Sequence, residues 1–201
     1  MAEEWVSLSL MDELQLMHTE IEAKLKVDSL PQVESTLAEL GAEFLGEQLH
    51  RDCYFDDGNS SFKSSDRALR LRRQTTADSE KNLLTYKGPK AQGNFKRRQE
   101  IEIEVGDFAV AEQLLSMLGY KKALVFEKNR RLWRLGDCVV ALDHLPLLGD
   151  FVEIEGPDNE KISHTQKRLG LANLHHVADS YAQMIEQRLH QLGQEKKQVL
   201  L

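Results

Sequence analysis

The chain has 201 residues, of which 41% are hydrophobic and 29% charged, so it suits one soluble domain with a sizeable core. The net charge of −7 gives no general attraction to a nucleic-acid backbone, and no nucleic-acid partner is expected. Two cysteines without a CxxC pair argue against a disulfide framework, and the lack of a long apolar run or signal peptide predicts a cytoplasmic protein without membrane contact.

Alternation of apolar and polar residues dominates the chain. Residues 1–16 are expected to be an N-terminal extension, followed by one domain over 17–192 and a tail over 193–201. Alternation and extended runs predict strands at 19–27, 68–73, 83–87, 98–105, 124–135, 138–144 and 151–155, and the mixed run at 44–55 is also expected to be extended. Helices are predicted at 31–40, 108–118, 160–169 and 180–192, and a loop at 56–61. Eight strands with short connections predict an α+β fold that is mainly antiparallel.

Charges of one sign recur on single strand faces. Any one such strand has an ordinary interpretation, with its apolar side on the core and its charged side in water. The whole set fits this poorly, because like charges on one face repel each other and a solvated surface mixes its signs. The like-signed neighbours are Glu20 with Glu22, Arg70 with Arg72, Glu100 with Glu102 and Glu104, Lys128 with Arg130, and Glu153 with Glu155.

If the sheet closes into a barrel with these faces inward, the charged pairs can bind ligands in its interior. Pairs of carboxylates hold hard divalent cations such as Mg²⁺ or Mn²⁺, and pairs of basic side chains hold phosphate oxygens. A polyphosphate with bound metal needs both kinds of group. The alternation therefore indicates an interior that binds a metal–polyphosphate complex.

Three single residues extend this set. Asp143 lies near the end of a mostly apolar strand, where a buried carboxylate is costly without a cation. Lys87 precedes a Gly-Pro breaker and is either a phosphate ligand at a strand end or a solvated loop lysine. Lys24 follows the first glutamate pair on the same face, so it either pairs with those carboxylates or reaches a phosphate.

Other motifs are weak. His175-His176 lacks a third ligand at a fixed spacing, so no zinc site is expected. The basic stretch 96–98 fits a solvated start of a strand that helps to attract an anionic substrate. The sequence contains no P-loop and no GxSxG motif, and no residue stands out as a dedicated general base.

The order of the charged pairs resembles that of a known family. The segment Glu20-Ile21-Glu22-Ala23-Lys24 resembles the ExExK signature of the CYTH superfamily, the triphosphate tunnel metalloenzymes. The resemblance spans residues 18–190 and continues through Arg70-x-Arg72, Lys87, Glu100 and Glu102, Lys128-x-Arg130, Asp143 and Glu153-x-Glu155. ExExK alone is a weak signal, whereas the ordered set is specific.

Within this superfamily the chain is most similar to the class IV adenylate cyclases, the CyaB type. The similar stretches are 118–120, 126–130 and 143–151, and Ser180-Tyr181 before the last helix also fits. This resemblance implies an eight-stranded antiparallel β-barrel, the triphosphate tunnel, with helices packed outside. It also implies a homodimer.

The resemblance further implies different roles for the charged residues. The residues that hold Mg²⁺ or Mn²⁺ would be Glu20, Glu22, Asp143, Glu153 and Glu155. The residues that bind the triphosphate would be Lys24, Arg70, Arg72, Lys87, Lys128 and Arg130. Of these, Lys24 and Arg130 would be catalytic, and Glu100 and Glu102 would support the site.

Two reactions fit such a site. A class IV cyclase converts ATP to cyclic AMP and pyrophosphate, whereas a triphosphatase hydrolyses thiamine triphosphate, inorganic tripolyphosphate or a nucleoside triphosphate. A third possibility is a non-catalytic polyphosphate-binding module, against which the acidic pairs argue because anion binding alone needs no metal ligands. A cyclase also needs a pocket for the base, which the sequence does not locate.

Overall fold

The computed structural model describes residues 18–201 except 92, 94 and 196, so the extension expected at 1–16 lies outside the described residues. The long strands are β1 (His18–Lys26), β2 (Glu43–Asp56), β3 (Ala68–Thr75), β4 (Glu80–Lys87), β5 (Lys96–Val105), β6 (Lys121–Leu135), β7 (Cys138–Leu145) and β8 (Gly149–Glu155). The helices of the described part are α1 (Leu30–Glu39), α2 (Ser61–Ser64), α3 (Phe108–Met117), α4 (Asn159–Arg168) and α5 (Tyr181–Gln191). A short strand, β9 (Gln198–Val199), follows.

The eight long strands close into a barrel. Their order is β2-β3-β4-β5-β1-β8-β7-β6, and β6 pairs back onto β2. Tyr54 on β2, for example, lies opposite Arg70 on β3 and Leu124 on β6. The antiparallel barrel with helices outside is therefore confirmed. Two elements were not predicted: α2 begins at the end of the expected loop, and β9 pairs in parallel with β6 inside the expected tail.

Local sequence explains where the longer helices begin. Helices α1, α3, α4 and α5 follow the N-cap residues Ser29, Asp107, Asp158 and Ser180. Each of these side chains accepts a hydrogen bond from the backbone N–H three residues later, which satisfies a donor that has no partner within the helix. Pro31 in the first turn of α1 costs no hydrogen bond for the same reason.

The barrel has a charged interior and an apolar exterior. On β1, Glu20, Glu22 and Lys24 face inward, whereas Ala23 and Leu25 face outward and are buried. Helices α1 and α4 cover this outer face and join a core that includes Leu30, Val33, Leu37, Val140, Val152, Ile154, Ile162 and Leu169. Burial of each large aliphatic side chain there contributes about 1.5–3 kcal/mol. The inward charges gain no such stabilisation and must be paired or bind a ligand.

Helix α5 covers one end of the barrel. Its residues Tyr181, Ile185 and Leu189 pack against Phe126 and Phe151. Those two rings share the inward faces of β6 and β8 with the charged residues, so the cluster covers part of the interior at this end. Among the described residues, no helix is long and apolar enough to cross a membrane.

Candidate active site

The barrel encloses a cavity of about 440 Å³ with a strongly charged lining. Twelve of the thirteen site residues expected from the sequence line it: Glu20, Glu22, Lys24, Arg70, Arg72, Lys87, Glu100, Glu102, Lys128, Arg130, Glu153 and Glu155. The exception is Asp143, which is buried behind the lining. The structure brings these residues together, and their individual roles in binding remain predictions.

Asp143 holds two of the basic residues in place. Its Oδ1 accepts a hydrogen bond from Arg130 Nε at 2.7 Å. Its Oδ2 accepts from Arg130 Nη2 at 2.6 Å, from Lys128 Nζ at 2.9 Å and from the Tyr181 hydroxyl at 2.9 Å. Burial would raise the pKa of Asp143, but Arg130 and Lys128 hold it below its ordinary value. These contacts support a positioning role, and the role of metal ligand stays a prediction.

Glu20, Glu22 and Glu155 form a cluster with excess negative charge. Burial, together with Glu20 and Glu22, raises the pKa of Glu155 to about 7. Lys96 Nζ lies 2.5 Å from Glu22 Oε1 and compensates part of this charge. Although burial disfavours the ammonium form, Glu22 and Glu20 raise the pKa of Lys96 above its ordinary value. The cluster therefore keeps Lys96 charged and still carries excess negative charge.

The chemistry of this cluster fits a divalent cation. An oxygen-only, negatively charged donor set is the kind that Mg²⁺ and Mn²⁺ select. In the described part of the chain, no three acidic, histidine or cysteine side chains converge closely enough to hold a metal. Glu22 is paired with Lys96, and Glu153 is paired with Lys24 and Arg130. A cation that binds here would therefore replace lysine contacts of these carboxylates.

The opposite wall carries two guanidinium groups fixed by buried partners. Arg72 Nε and Nη2 donate to Asp52 Oδ1 and Oδ2 at 2.6 and 2.7 Å. Burial would raise the pKa of Asp52, but Arg72 and Arg70 hold it well below its ordinary value. Arg70 Nη2 donates to Thr85 Oγ1 at 3.0 Å and lies 3.4 Å from Glu102 Oε2. Fixed arginine forks of this kind suit phosphate oxygens.

Lys87 at the end of β4 lies inside the barrel. Its side chain pairs with Glu100 and lies 3.7 Å from Glu20 Oε2. Burial, reinforced by Arg70, lowers the pKa of Lys87. The interpretation of Lys87 as a solvated loop lysine is therefore wrong, because only 8% of the residue is exposed.

Tyr181 holds two ammonium groups near the covered end of the barrel. Lys24 Nζ lies 4.1 Å and Lys128 Nζ 4.8 Å from the centroid of its ring, within cation–π range. Lys24 Nζ also donates to the Asp179 carbonyl oxygen at 3.1 Å. Burial, reinforced by Arg130, lowers the pKa of Lys128 to about 8. Helix α5 and the residue before its cap thus position both lysines.

Several lining residues were not assigned to the site from the sequence. They are Asp52, Tyr54, Lys96, Arg98, Ser180 and Tyr181. The expectation of a solvated start at 96–98 is wrong for Lys96 and Arg98, because β5 begins at Lys96 and its even-numbered residues continue the inward face of Glu100 and Glu102. Arg98 already lay on the face of Glu100 in the strand predicted at 98–105, and extending that alternation two residues toward the N-terminus would have found Lys96. Asp52 has no such signal, because it lies in a mixed polar and aromatic run.

The ordered charged residues have a counterpart in a known family. Residues 18–181 match the CYTH domain. This chain belongs to the CYTH family. A similar CYTH relative is adenylate cyclase CyaB of Aeromonas hydrophila, which is 30% identical over 180 residues, covering 85% of this chain and 90% of that protein. A Methanocaldococcus jannaschii protein, provisionally named an adenylate cyclase, is 34% identical over 137 residues, covering 68% of this chain and 75% of its own.

Solved structures share the CYTH fold of this chain. A protein of Pyrococcus horikoshii OT3 superposes with a TM-score of 0.74 at 28% identity, covering 84% of this chain and 99% of that one. A Hippeastrum protein, provisionally named an adenylyl cyclase and described as having a dominant triphosphatase activity, superposes with a TM-score of 0.66 at 18% identity, covering 88% and 97%. Divalent metal ions are the general cofactors of CYTH triphosphate tunnel metalloenzymes.

Proposed function

We propose that this CYTH protein is a metal-dependent enzyme that acts on a triphosphate inside its barrel, with conversion of ATP to cyclic AMP and pyrophosphate as the first candidate reaction. One observation carries the proposal. A single cavity contains both basic side chains suited to phosphates and a carboxylate cluster with excess negative charge. The adenylate cyclase names of the two relatives support it.

The chain's own residues act by positioning and by charge. Arg70 and Arg72 would donate to phosphate oxygens, and Lys24 and Arg130, which line the same cavity, would offset the charge that grows as a phosphate bond breaks. Bound Mg²⁺ or Mn²⁺ would supply Lewis-acid polarisation of a phosphate oxygen. The residues that fit that ion are Glu20, Glu22, Glu153 and Glu155.

In the cyclase reaction the ribose 3′-hydroxyl oxygen forms a bond to the α-phosphorus. The bond between the α-phosphorus and the α–β bridging oxygen breaks, and pyrophosphate leaves with that electron pair. The hydroxyl proton is lost to a base. The barrel must therefore hold the β- and γ-phosphates firmly and leave space for the nucleoside beside the α-phosphate.

We infer that a side slot would hold the nucleoside. It shares Tyr54, Ala68, Arg98 and Ser180 with the cavity and continues between β2, β6, α2 and α5. Its walls include Tyr54, Phe55, Phe62, Leu124 and Ala182, and also charged residues: Asp56, Lys63, Asp66, Arg67, Arg98 and Glu186. The aromatic and aliphatic part of these walls favours a flat organic group over another phosphate. The slot thus supports a nucleoside triphosphate over inorganic tripolyphosphate as the substrate.

Triphosphate hydrolysis is the second candidate reaction. A water oxygen would bond to the terminal phosphorus, and the bond from that phosphorus to its bridging oxygen would break. The diphosphate part would leave with that electron pair, the water would lose a proton to a base, and the attacked group would become orthophosphate, with the same basic residues in the same roles. The triphosphatase activity described for the Hippeastrum protein of this fold favours this alternative.

Product analysis separates the candidates. The purified protein is incubated with Mg²⁺ or Mn²⁺ and, separately, with ATP, thiamine triphosphate and tripolyphosphate, and the products are resolved by chromatography. Cyclic AMP with an equal amount of pyrophosphate supports the cyclase. Orthophosphate released from thiamine triphosphate or tripolyphosphate supports the triphosphatase. Tight, metal-dependent binding of these compounds without turnover of any of them would contradict the proposed enzymatic activity. It would support a non-catalytic binding module instead.

A further inference from the structure

A second cavity, of about 310 Å³, opens from the other end of the barrel. It shares Glu20, Glu22, Glu102, Glu153 and Glu155 with the first cavity, together with Arg72 and Arg130, so the two cavities meet at these charged residues. Along β2, β6 and β7 its lining lies on the side away from α5. Gln48, Gln74 and Leu132, which belong to this lining, are partly exposed, so this cavity reaches the surface as a second opening.

The two openings differ in charge. Six basic side chains line the first cavity and are absent from the lining of the second: Lys24, Arg70, Lys87, Lys96, Arg98 and Lys128. The second cavity has two basic residues, Arg72 and Arg130, and both are paired with buried carboxylates. A cation that approaches through the first cavity must therefore pass several ammonium and guanidinium groups before it reaches a glutamate.

Apart from the exposed Glu102, the outer lining of the second cavity is uncharged. Gln48 and Gln74 supply neutral amides, and Leu83 supplies an apolar wall. Burial, together with Arg72, holds the pKa of His50 far below its ordinary value, so its imidazole is neutral. His50 Nε2 lies 2.7 Å from Gln48 Oε1, which keeps both side chains in the wall. On this side a cation meets five glutamates and two arginines, and both arginines are paired with buried carboxylates.

We propose that the divalent cation and the triphosphate enter the barrel from opposite ends, the anion past the basic lining and the cation through the second opening, where carboxylates outnumber basic side chains. This inference rests on the proposed metal-dependent function. Its physical basis is the focusing of a field by a narrow low-dielectric channel, which changes association rates of ions by roughly 10- to 1,000-fold. It also implies that metal can exchange while a triphosphate occupies the basic end.

The rate of Mn²⁺ association tests this route. Gln74→Lys adds one positive charge to the second opening, and Gln74→Met is the matched uncharged variant. Mn²⁺ association is followed by stopped flow with a fluorescent Mn²⁺ indicator at low ionic strength, without any triphosphate. We expect Gln74→Lys to slow association by roughly 3- to 10-fold, Gln74→Met to leave it unchanged, and added salt to reduce the difference.

A second charge variant at the basic end makes the test decisive. Ala123→Lys places the same charge beside the side slot, and we expect it to leave Mn²⁺ association unchanged. The proposal is overturned if Ala123→Lys slows Mn²⁺ and Gln74→Lys does not, or if Gln74→Lys and Gln74→Met behave alike. If Mn²⁺ binds saturably but its association rate does not depend on the charge at the second opening, the entry route is contradicted and the proposed function is not. Absence of saturable Mn²⁺ binding by the unmodified protein contradicts the proposed metal-dependent function as well.

Discussion

At the scale of single residues, pairing with opposite charges sets the pKa values of the carboxylates in the barrel. Asp52 and Asp143 are buried carboxylates that orient arginines, and neither needs a ligand to remain ionised. Glu155 differs from them, because its pKa is raised to about 7 by burial and by Glu20 and Glu22. Such a residue costs stability when it is charged, and a bound cation would remove that cost.

Glu155→Gln should therefore stabilise the metal-free protein at alkaline pH. The folded pKa of Glu155 (about 7) lies above its ordinary value of 4.5, so the folded state retains a proton that the unfolded state releases, and stability falls as pH rises through this window. We expect a higher Tm for Glu155→Gln at about pH 8, by about 2–4 °C per kcal/mol gained, and a smaller difference at about pH 5. Thermal unfolding in EDTA measures this. Equal Tm values at the alkaline pH would contradict the excess of negative charge.

Tyr181→Phe tests how the basic residues are held. The substitution keeps the ring beside Lys24 and Lys128 and removes the hydroxyl that donates to Asp143. A hydrogen bond to a charged group contributes about 1.5–3 kcal/mol, and we expect a loss of this size in urea unfolding. Tyr181→Leu should cost more, because the ring is lost as well. Tyr86→Phe, on the outer face of β4, is the control, and a comparable loss there would remove the support for a specific role of Tyr181.

At the scale of secondary-structure elements, α5 joins the barrel to the side slot. It caps the end of the interior through Tyr181 and places Ala182 in the wall of the slot. The pattern of the sequence predicted this helix, but not its position over the barrel, because a helical period reports which residues are apolar and not which surface they cover. For the same reason the pocket for the base was not located from the sequence.

Filling the slot should separate organic from inorganic triphosphates. We expect Ala182→Phe to raise the KM for ATP by roughly tenfold or more, since overpacking a well-fitted site costs about 1–3 kcal/mol. Turnover of tripolyphosphate, if the protein catalyses it, should not change, because no phosphate occupies the slot. Ala109→Phe on the exposed side of α3 is the control. An equal effect of Ala182→Phe on both substrates would argue against the slot as the nucleoside site.

At the scale of the whole molecule, barrel closure turns a run of charged strand faces into one enclosed site. Alternation is a local property, so the inward faces of β1, β3 and β8 were predictable from Glu20, Arg70 and Glu153. The pairing of β2 with β6 joins segments that are far apart in sequence, and nothing local predicts it. Asp52 lies opposite Arg72 on the neighbouring strand β3, and it was missed because β2 reads as a mixed strand without a charged face. The homodimer implied by the family remains a prediction.

Removal of residues 1–16 should leave catalysis intact. The lining of the cavity begins at Glu20, and the strands of the barrel begin at His18. We therefore expect the shortened chain to keep its rate of triphosphate turnover, measured with the substrate that the full chain prefers. A large loss of turnover with the fold retained would show that the extension contributes to the site.

Loss of metal-dependent turnover in Glu153→Gln is the most direct test of the barrel interior as a triphosphate–metal site. The change removes a carboxylate charge that Lys24 and Arg130 contact, and Glu104→Gln on the exposed end of β5 is the matched control. We expect Glu153→Gln to lower Mg²⁺-dependent turnover by about 100-fold or more with a native circular dichroism spectrum, and Glu104→Gln to retain activity. Full activity of Glu153→Gln would contradict the assignment of the barrel interior as the active site.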